Sequence, residues 1–464
     1  MKKFFKYFIL IVVCVSCSLA CNSLLSPTIV GITKGSSNGI YDTYIIRYSN
    51  GKTDSFVIKN GEDAESISID DLYIATKTAK GYGDEYTLLD FIKEYLSLSL
   101  EEKDETKAYL GALSTVEVYC EYTTSVLNNG KGLNMGAGVI YQPAGESDNY
   151  FIITNYHVVY SSESKSSDKI ATQFNCFLYG SNVEITTQKL SLGGYSITYG
   201  ADAIKCSYVG GSVENDIAVL KVNEPVKITN SNARPVKVCT TAPVVGETAI
   251  AIGNPQGLGT SITKGIVSVD SEYMTMTAND NVTQVTYRAI RIDASVNSGN
   301  SGGGLFNIDG ELIGIVNSKL QDTGIEGMAF ALPVNNSIRV ADNIILNAET
   351  NNKKAIKPVF GITIKIASSK AEYNAETCGI QITEEIEIEE INDDSICKDK
   401  LAVGDKLVNV TINGVTYNIN RNFTLKELTW IIKKNSVVVF NVIRMGTSTI
   451  VPIVVDESCF IVVD

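Results

Sequence analysis

Residues 293–304 read DASVNSGNSGGG, and Ser301 lies among the four glycines of this stretch. Strand-like segments flank it on both sides, at 289–292 and 305–306. A flexible linker seldom has such flanks, so the pattern predicts a tight loop between strands that presents the Ser301 hydroxyl. We expect the backbone amides of Gly299 and Ser301 to point inward together, because binding of the oxyanion in acyl transfer requires it.

A serine hydroxyl is a weak nucleophile at neutral pH, so a base must take its proton. Histidine has the ordinary pKa best suited to this task, and the chain contains one, His157, in the segment ITNYHVV. A carboxylate must hold the imidazole in one tautomer, and Asp216, at the start of the apolar run IAVL, is the candidate. Each residue alone is more often structural. Together they predict a His157–Asp216–Ser301 triad.

The segment 299–303, GNSGG, also fits the GxSxG pattern of α/β-hydrolases. In that fold the chain order is nucleophile, acid and then histidine, but no histidine follows Ser301. The order His157, Asp216, Ser301 is that of the chymotrypsin-like barrels. The order of the three residues in the chain therefore excludes an α/β-hydrolase fold.

Length and composition limit the remaining possibilities. A chain of 464 residues has room for about two to four domains, and its apolar runs are rich in Val, Ile, Thr and Tyr, which favours β-structure. The formal net charge of −13 leaves no surplus of basic residues for phosphates, so nucleic acid is not an expected partner. A single histidine and the lack of a CxxC pair after Cys21 argue against zinc. We expect neither a metal nor a cofactor.

Residues 1–21 have the pattern of a signal peptide. Three lysines within the first six residues precede the uncharged apolar stretch 7–20, which is too short to span a bilayer comfortably. The small residues before Cys21 resemble a bacterial lipoprotein cleavage site, which predicts an exported protein held by a lipid on Cys21 to the outer face of the cytoplasmic membrane. The usual Leu three residues before the cysteine is missing, so Cys17 and plain cleavage remain open alternatives.

Seven cysteines follow Cys21. Some of them could be oxidised in an exported protein, but their odd number and irregular spacing indicate no disulfide framework. Buried free thiols are the favoured interpretation.

Local patterns divide the rest of the chain. Residues 27–100 combine a β-hairpin around Asn50-Gly51 with two short helical patterns, and form a small α+β module. Short Val/Ile-rich strands separated by turn residues run through 112–345 and are typical of an antiparallel barrel or sandwich. The polar segment 347–354 is predicted to be a linker, and 356–464 is predicted to form a C-terminal β-rich domain.

The segments TNYHVV, NDIAVL, AIGNPQGLGTSITKGIVS and DASVNSGNSGGGLFNIDGELIGIV resemble the bacterial HtrA/Deg branch of trypsin-like serine peptidases. The resemblance covers about 112–340. It implies two six-stranded antiparallel β-barrels with the site in the cleft between them, unfolded or damaged exported proteins as substrates, and a homotrimer. Two departures from the family are an excess of some thirty residues, roughly 161–194, and Ser298 where the family usually has Pro.

The block 356–464 resembles a PDZ domain. The segment 358–362, PVFGI, stands where the carboxylate-binding loop belongs, 425–432 would be the groove helix, and 437–444 the last long strand. The resemblance implies binding of peptide chain ends by strand addition. The alternative is a β-rich cap that binds nothing.

The predicted fold class is therefore mainly β: a double six-stranded, chymotrypsin-like barrel, a PDZ-like domain, and a small N-terminal module. The predicted function is that of a serine endopeptidase working through His157, Asp216 and Ser301, with Gly299 in the oxyanion hole. The competing hypothesis is a catalytically retired barrel that acts as a PDZ-bearing surface adaptor for protein chain ends.

Overall fold

The computed structural model describes 29–38, 41–48, 51–59, the single positions 74, 77, 78 and 83, and 110–463 with gaps at 125–129, 191–194, 279–281, 319–327 and 375–378. The chain divides into two compact units, 1–103 and 104–464.

The first unit contains one antiparallel sheet of strands β1 (Ile29–Asn38), β2 (Tyr41–Tyr48) and β3 (Thr53–Lys59), in that spatial order. Strands β2 and β3 form the hairpin predicted around Asn50-Gly51, which is thereby confirmed. The two predicted helices of this module lie outside the described residues.

The second unit begins with a closed antiparallel barrel, in the strand order β10-β11-β6-β5-β4-β7. Its strands are β4 (Thr115–Thr123), β5 (Lys131–Tyr141), β6 (Phe151–Thr154), β7 (Gln173–Leu178), β10 (Ile204–Ser212) and β11 (Ile217–Val222). A separate hairpin of β8 (Ile185–Lys189) and β9 (Tyr195–Tyr199) lies between β7 and β10. The short helices α1 (Tyr156–Val159) and α2 (Val226–Thr229) follow β6 and β11.

A second closed barrel follows, in the order β12-β13-β14-β17-β16-β15. Its strands are β12 (Thr248–Gly253), β13 (Ser261–Thr277), β14 (Gln284–Ile292), β15 (Gly304–Phe306), β16 (Leu312–Val316) and β17 (Ala329–Pro333). Helix α3 (Val334–Asn347) begins at the residue after the last strand, β17. The predicted pair of six-stranded antiparallel barrels is thus confirmed.

Hydrophobic burial explains why the two barrels form one body. Each barrel has its own apolar interior, and closure leaves no free sheet edge in either. A third cluster joins them: Ile153 and Val219 of the first barrel pack with Ile252, Phe306 and Phe330 of the second, all at most 1% exposed. This seam fixes the cleft between the barrels, where the loops after β6, β10 and β14 meet.

The predicted insertion at 161–194 differs from the structure. Strand β7 falls inside this range, yet it closes the first barrel by pairing with β4 and β10. Four of its six residues, 174–177, are buried, as the position of the strand within the barrel requires. The hairpin of β8 and β9, which follows β7, is not a strand pair of either barrel.

The C-terminal part is a β-domain with its own core. Its strands are β18 (Ala355–Pro358), β19 (Ile362–Asn374), β20 (Gly379–Ile391), β21 (Lys406–Ile412), β22 (Val415–Asn418), β23 (Ser436–Arg444), β24 (Thr447–Val455) and β25 (Phe460–Val463). The main sheet has the order β19-β20-β21-β23-β24, with β22 paired to β21, and β18 pairs with β25. Helix α4 (Thr424–Leu428) continues into a 3₁₀ turn, Thr429–Ile431. This β sheet is consistent with a PDZ domain.

This C-terminal domain is docked on the second barrel through α4 and the turn after it. Trp430, which is 4% exposed, joins the apolar seam between the barrels, and its carbonyl accepts a hydrogen bond from Asn343 of α3. The Arg288 guanidinium pairs with buried Glu427 and stacks 3.8 Å from the centre of the Phe423 ring. Buried pairs and an inserted indole make this an interface with a fixed geometry.

Six cysteines of the second unit are free and buried: Cys120, Cys176, Cys206, Cys239, Cys397 and Cys459. The expectation of buried free thiols is confirmed for these six, whereas Cys378 lies outside the described residues. Within the described part of the chain, no helix is long and apolar enough to cross a membrane.

We predict that Glu427→Ala weakens the docking of the C-terminal domain, because it leaves the Arg288 cation buried without its partner. Loss of one member of a buried ion pair typically costs about 3–5 kcal/mol of the free energy of unfolding. Trp430 is the only tryptophan in the chain, so its fluorescence in a urea titration reports this interface directly. The red shift on exposure should occur at lower urea concentration in the variant.

The matched control is Lys434→Ala, which removes the solvent-exposed pair of Lys434 with Glu457 in the same domain. Exposed pairs contribute little, so this titration should superimpose on that of the unmodified protein. Equal midpoints for Glu427→Ala and Lys434→Ala would contradict the role given to the buried pair.

Candidate active site

His157 lies in helix α1, one turn of helix that begins directly after strand β6. The apolar sequence ITNYHVV predicted a strand-like run through this residue, but β6 ends at Thr154. The difference has a polar cause: Asn155, which is fully buried, turns its side chain to donate to the backbone carbonyl of Asp216 at 3.0 Å. The chain therefore bends at Asn155 and carries His157 toward the cleft.

Asp216 occupies the turn before β11 with a left-handed backbone, at φ 49°. Asp is one of the few residues that adopt this conformation at modest cost. Its carbonyl accepts hydrogen bonds from the backbone N–H of Tyr156, at 3.1 Å, and from the Asn155 side chain. These two hydrogen bonds to the Asp216 carbonyl hold the segment that carries His157 next to Asp216, in addition to any contact between the two side chains.

Asp216 is buried, with 4% of its surface exposed, and its carboxylate accepts three hydrogen bonds. One oxygen accepts from the His157 backbone N–H at 2.9 Å, and the other lies 2.7 Å from His157 Nδ1. Asn317 Nδ2 donates to that second oxygen at 2.8 Å. Because an ionised carboxylate only accepts, Nδ1 carries the ring proton and Nε2 is left as the acceptor on the opposite side of the ring.

Ser301 belongs to the second barrel but is bound to the first. Its carbonyl accepts from the N–H of Ala137 in β5 at 2.8 Å, and it is 3% exposed. The next residue, Gly302, has φ 86°, and a Cβ there would lie 2.2 Å from the Ala137 carbonyl oxygen. Only glycine allows the nucleophile loop to approach β5 so closely.

Gly299 forms the other side of the loop, with φ 98°. A Cβ at this position would lie 2.2 Å from the carbonyl oxygen of Asn254, so glycine is required here as well. The Gly299 carbonyl accepts from the Asn254 N–H at 3.3 Å. Among the described residues, no protein group accepts a hydrogen bond from the amides of Gly299 and Ser301.

A buried network holds Asn254, which in turn supports Gly299. Asn254 Nδ2 donates to the Tyr119 hydroxyl at 3.3 Å, and that hydroxyl donates to Glu117 Oε2 at 2.8 Å. Burial, together with the hydrogen bond to Glu117, raises the pKa of Tyr119 well above its ordinary value, so the phenol keeps its proton. Strand β4 of the first barrel thereby fixes a loop of the second.

The Ser301 hydroxyl itself points to Ser318, the second residue after strand β16. The two Oγ atoms are 2.6 Å apart, and the Ser318 backbone N–H donates to Ser301 Oγ at 3.1 Å. No hydrogen bond between Ser301 and His157 is present within the described residues.

All four residues predicted for the site, His157, Asp216, Gly299 and Ser301, lie around one cleft. Sequence reasoning missed Asn317, Ser318 and the Tyr119–Asn254 network. Asn317 ends the fully buried strand β16, and a polar residue in that position is a signal that could have been noticed. In the described ranges, no group of three or more His, Cys, Asp or Glu side chains is arranged to hold a metal ion.

The chain is similar in sequence to known serine proteases. The trypsin-like peptidase domain family matches residues 136–315. The serine protease Do-like HtrA of Lactococcus lactis subsp. cremoris is 33% identical over 248 residues, 52% of this chain and 51% of that protein. The serine endoprotease DegS of Haemophilus influenzae is 28% identical over 331 residues, which cover 70% and 77% of the two chains.

Among solved structures, the HtrA-type protease AlgW with tripeptide is 23% identical and has a TM-score of 0.45, over 76% of this chain and 97% of that one. The chain spans about half the length of the Lactococcus relative. The chain therefore contains a region, 136–315, that matches the trypsin-like peptidase domain family, and it is similar to serine proteases of the HtrA and DegS type.

Proposed function

We propose that this protein is a serine endopeptidase that cleaves unfolded or damaged exported proteins. The observation that carries the proposal is the hydrogen-bonded pair of His157 Nδ1 and Asp216 Oδ2, at 2.7 Å, beside a serine whose loop leaves two backbone amides unused. Similarity to the trypsin-like peptidase domain family and to the HtrA protease of Lactococcus lactis supports the same reaction.

In the proposed reaction, Ser301 Oγ attacks the carbonyl carbon of a peptide bond while His157 Nε2 takes the hydroxyl proton. Asp216 keeps the imidazole in the required tautomer and stabilises the imidazolium. The amides of Gly299 and Ser301 donate to the oxyanion, and the loss of one such donor typically lowers kcat about 10²–10³-fold. His157 then protonates the leaving amine. In the second half of the reaction His157 takes a proton from water, which attacks the acyl-enzyme, and then returns that proton to Ser301 Oγ as the ester bond breaks.

The C-terminal domain is proposed to bind peptide chain ends. Strand β19 is an edge of its sheet and pairs with β20 alone, which leaves backbone groups for an added strand. Gly361, just before this strand, has φ 67°, as a loop that turns its amides toward a carboxylate needs. A homotrimer, implied by the family resemblance, stays a prediction.

The adaptor hypothesis has one observation in its favour, namely that Ser301 contacts Ser318 and not His157. A barrel that keeps the triad residues but never brings the hydroxyl to the imidazole would bind without turnover. A fluorophosphonate probe that labels Ser301 separates the two functions.

We predict that Ser301→Ala abolishes cleavage of casein, because no other residue can form the acyl-enzyme. Peptide release is measured with purified protein, and circular dichroism checks that the barrels remain folded. Alanine differs from serine only by the loss of Oγ and adds no atom at this buried position, so the fold should be retained. Undiminished cleavage by this variant would exclude the mechanism.

We also predict that Asn317→Ala lowers kcat while KM changes little. Asn317 donates to the buried Asp216 carboxylate, and a hydrogen bond to a charged group contributes about 1.5–3 kcal/mol, which corresponds to a loss of about tenfold or more. Asn317→Asp has nearly the same shape but brings a second carboxylate against Asp216, so its kcat should be lower still. An Asn317→Ala protein with full kcat would show that the contact is not needed.

Localisation is part of the proposal: we infer export and a lipid on Cys21 that holds the protein to the outer face of the cytoplasmic membrane. The supporting pattern lies at 1–21, outside the described residues. Cys21→Ser should move the protein from the membrane to the soluble fraction, or stall its processing, whereas Cys17→Ser should leave it in the membrane. The opposite result would assign the lipid to Cys17, and absence of fatty-acid incorporation in the unmodified protein would refute the anchor.

A further inference from the structure

Ser318 makes the contact that holds the nucleophile. Its hydroxyl lies 2.6 Å from Ser301 Oγ and its amide donates to the same atom at 3.1 Å. Ser318 is half-buried, so the contact is partly shielded from competing water. Two hydrogen bonds from one residue therefore define where the Ser301 hydroxyl rests.

The two residues before Ser318 are held by hydrogen bonds to both sides of the site. Val316, two residues earlier, exchanges backbone hydrogen bonds with the nucleophile loop: it accepts from the Gly302 N–H at 2.9 Å and donates to the Gly303 carbonyl at 2.8 Å. Between them, Asn317 donates to the Asp216 carboxylate. The end of β16 thus contacts the acid with one side chain and the nucleophile with the next.

The contact opposes attack on a substrate. A hydroxyl has one proton to donate and two lone pairs that accept. One lone pair of Ser301 Oγ accepts from the Ser318 amide. If the proton goes to Ser318 Oγ it cannot go to His157, and if Ser318 donates instead, the second lone pair is occupied. In either orientation, nucleophilic attack requires this hydrogen bond to break.

We propose that Ser318 is a positioning residue that keeps Ser301 Oγ in a resting orientation away from His157, and that its hydroxyl slows acylation until Ser301 turns to the imidazole. The proposal rests on the proposed peptidase function, but its structural half, a resting Ser301 without a bond to His157, can be tested without any turnover.

The kinetic test uses the full-length protein and a small alkyl fluorophosphonate, which has no peptide to contact the C-terminal domain. Ser318→Ala should raise the second-order rate constant of labelling about two- to tenfold, the effect of one hydrogen bond of ordinary net strength. Ser318→Thr restores a hydroxyl and should react more slowly than Ser318→Ala. Ser207→Ala, an exposed serine of the first barrel, serves as the matched control and should not change the rate.

The second test uses the fact that His157 is the only histidine in the chain, so ¹⁵N-histidine labelling gives one imidazole to observe. The Nε2 resonance should be the same in the unmodified protein and in Ser301→Ala, because Ser301 does not touch the ring at rest. In Ser318→Ala it should shift, and adding Ser301→Ala should reverse that shift.

The outcomes separate the two claims. An unreactive unmodified protein refutes the proposed peptidase function, and the resonance test still decides the role of Ser318. A reactive protein in which Ser318→Ala labels at an equal or lower rate refutes the positioning role and leaves the peptidase intact. A difference in Nε2 between the unmodified protein and Ser301→Ala also refutes it.

Discussion

The site depends on the hydrogen bonds between Asp216 and the chain at 155–157. Two of them use the Asp216 carbonyl and two its carboxylate, so backbone and side chain of one buried residue fix the position and the tautomer of His157. A buried carboxylate is costly unless it is well hydrogen-bonded, and Asn317 supplies the additional donor. The left-handed turn at Asp216 is what aims both oxygens at the histidine.

The second constraint is a set of hydrogen bonds, one between backbones and others between side chains, that joins the two barrels across the cleft. Ser301 of the second barrel is bonded to Ala137 of the first, and Tyr119 of the first barrel supports Asn254 of the second. Neither barrel could move relative to the other without disturbing the loop that carries Gly299 and Ser301. The apolar seam between the barrels gives the stability, and these polar contacts give the geometry.

The sequence was sufficient for the two barrels and for choosing candidate site residues that the fold brings to one cleft. The choice of candidates depends on residue types with few alternatives: one histidine, and glycines where a Cβ would collide with Asn254 or Ala137. It was insufficient where a role depends on orientation. In the sequence, Asn317 and Ser318 are two polar residues after a predicted strand. Their contacts with Asp216 and Ser301 are visible only in the structure. Strand β7 lies within the range 161–194 that the family resemblance marked as excess, because a difference in length from a family does not show which residues of the range form the barrel.

The turn before Asp216 is also where the C-terminal domain meets the two barrels. Glu214, two residues before the acid, pairs with Lys357 at 2.8 Å and with Lys426 of α4 at 3.5 Å. Asn215 accepts from the Asn336 side chain at 3.1 Å. The turn is therefore held on one side by the C-terminal domain and α3, and on the other by the helix of His157. Since a shift of the Asp216 backbone would carry its carbonyl and carboxylate contacts with it, the turn 214–216 links part of the docking interface to the orientation of the imidazole.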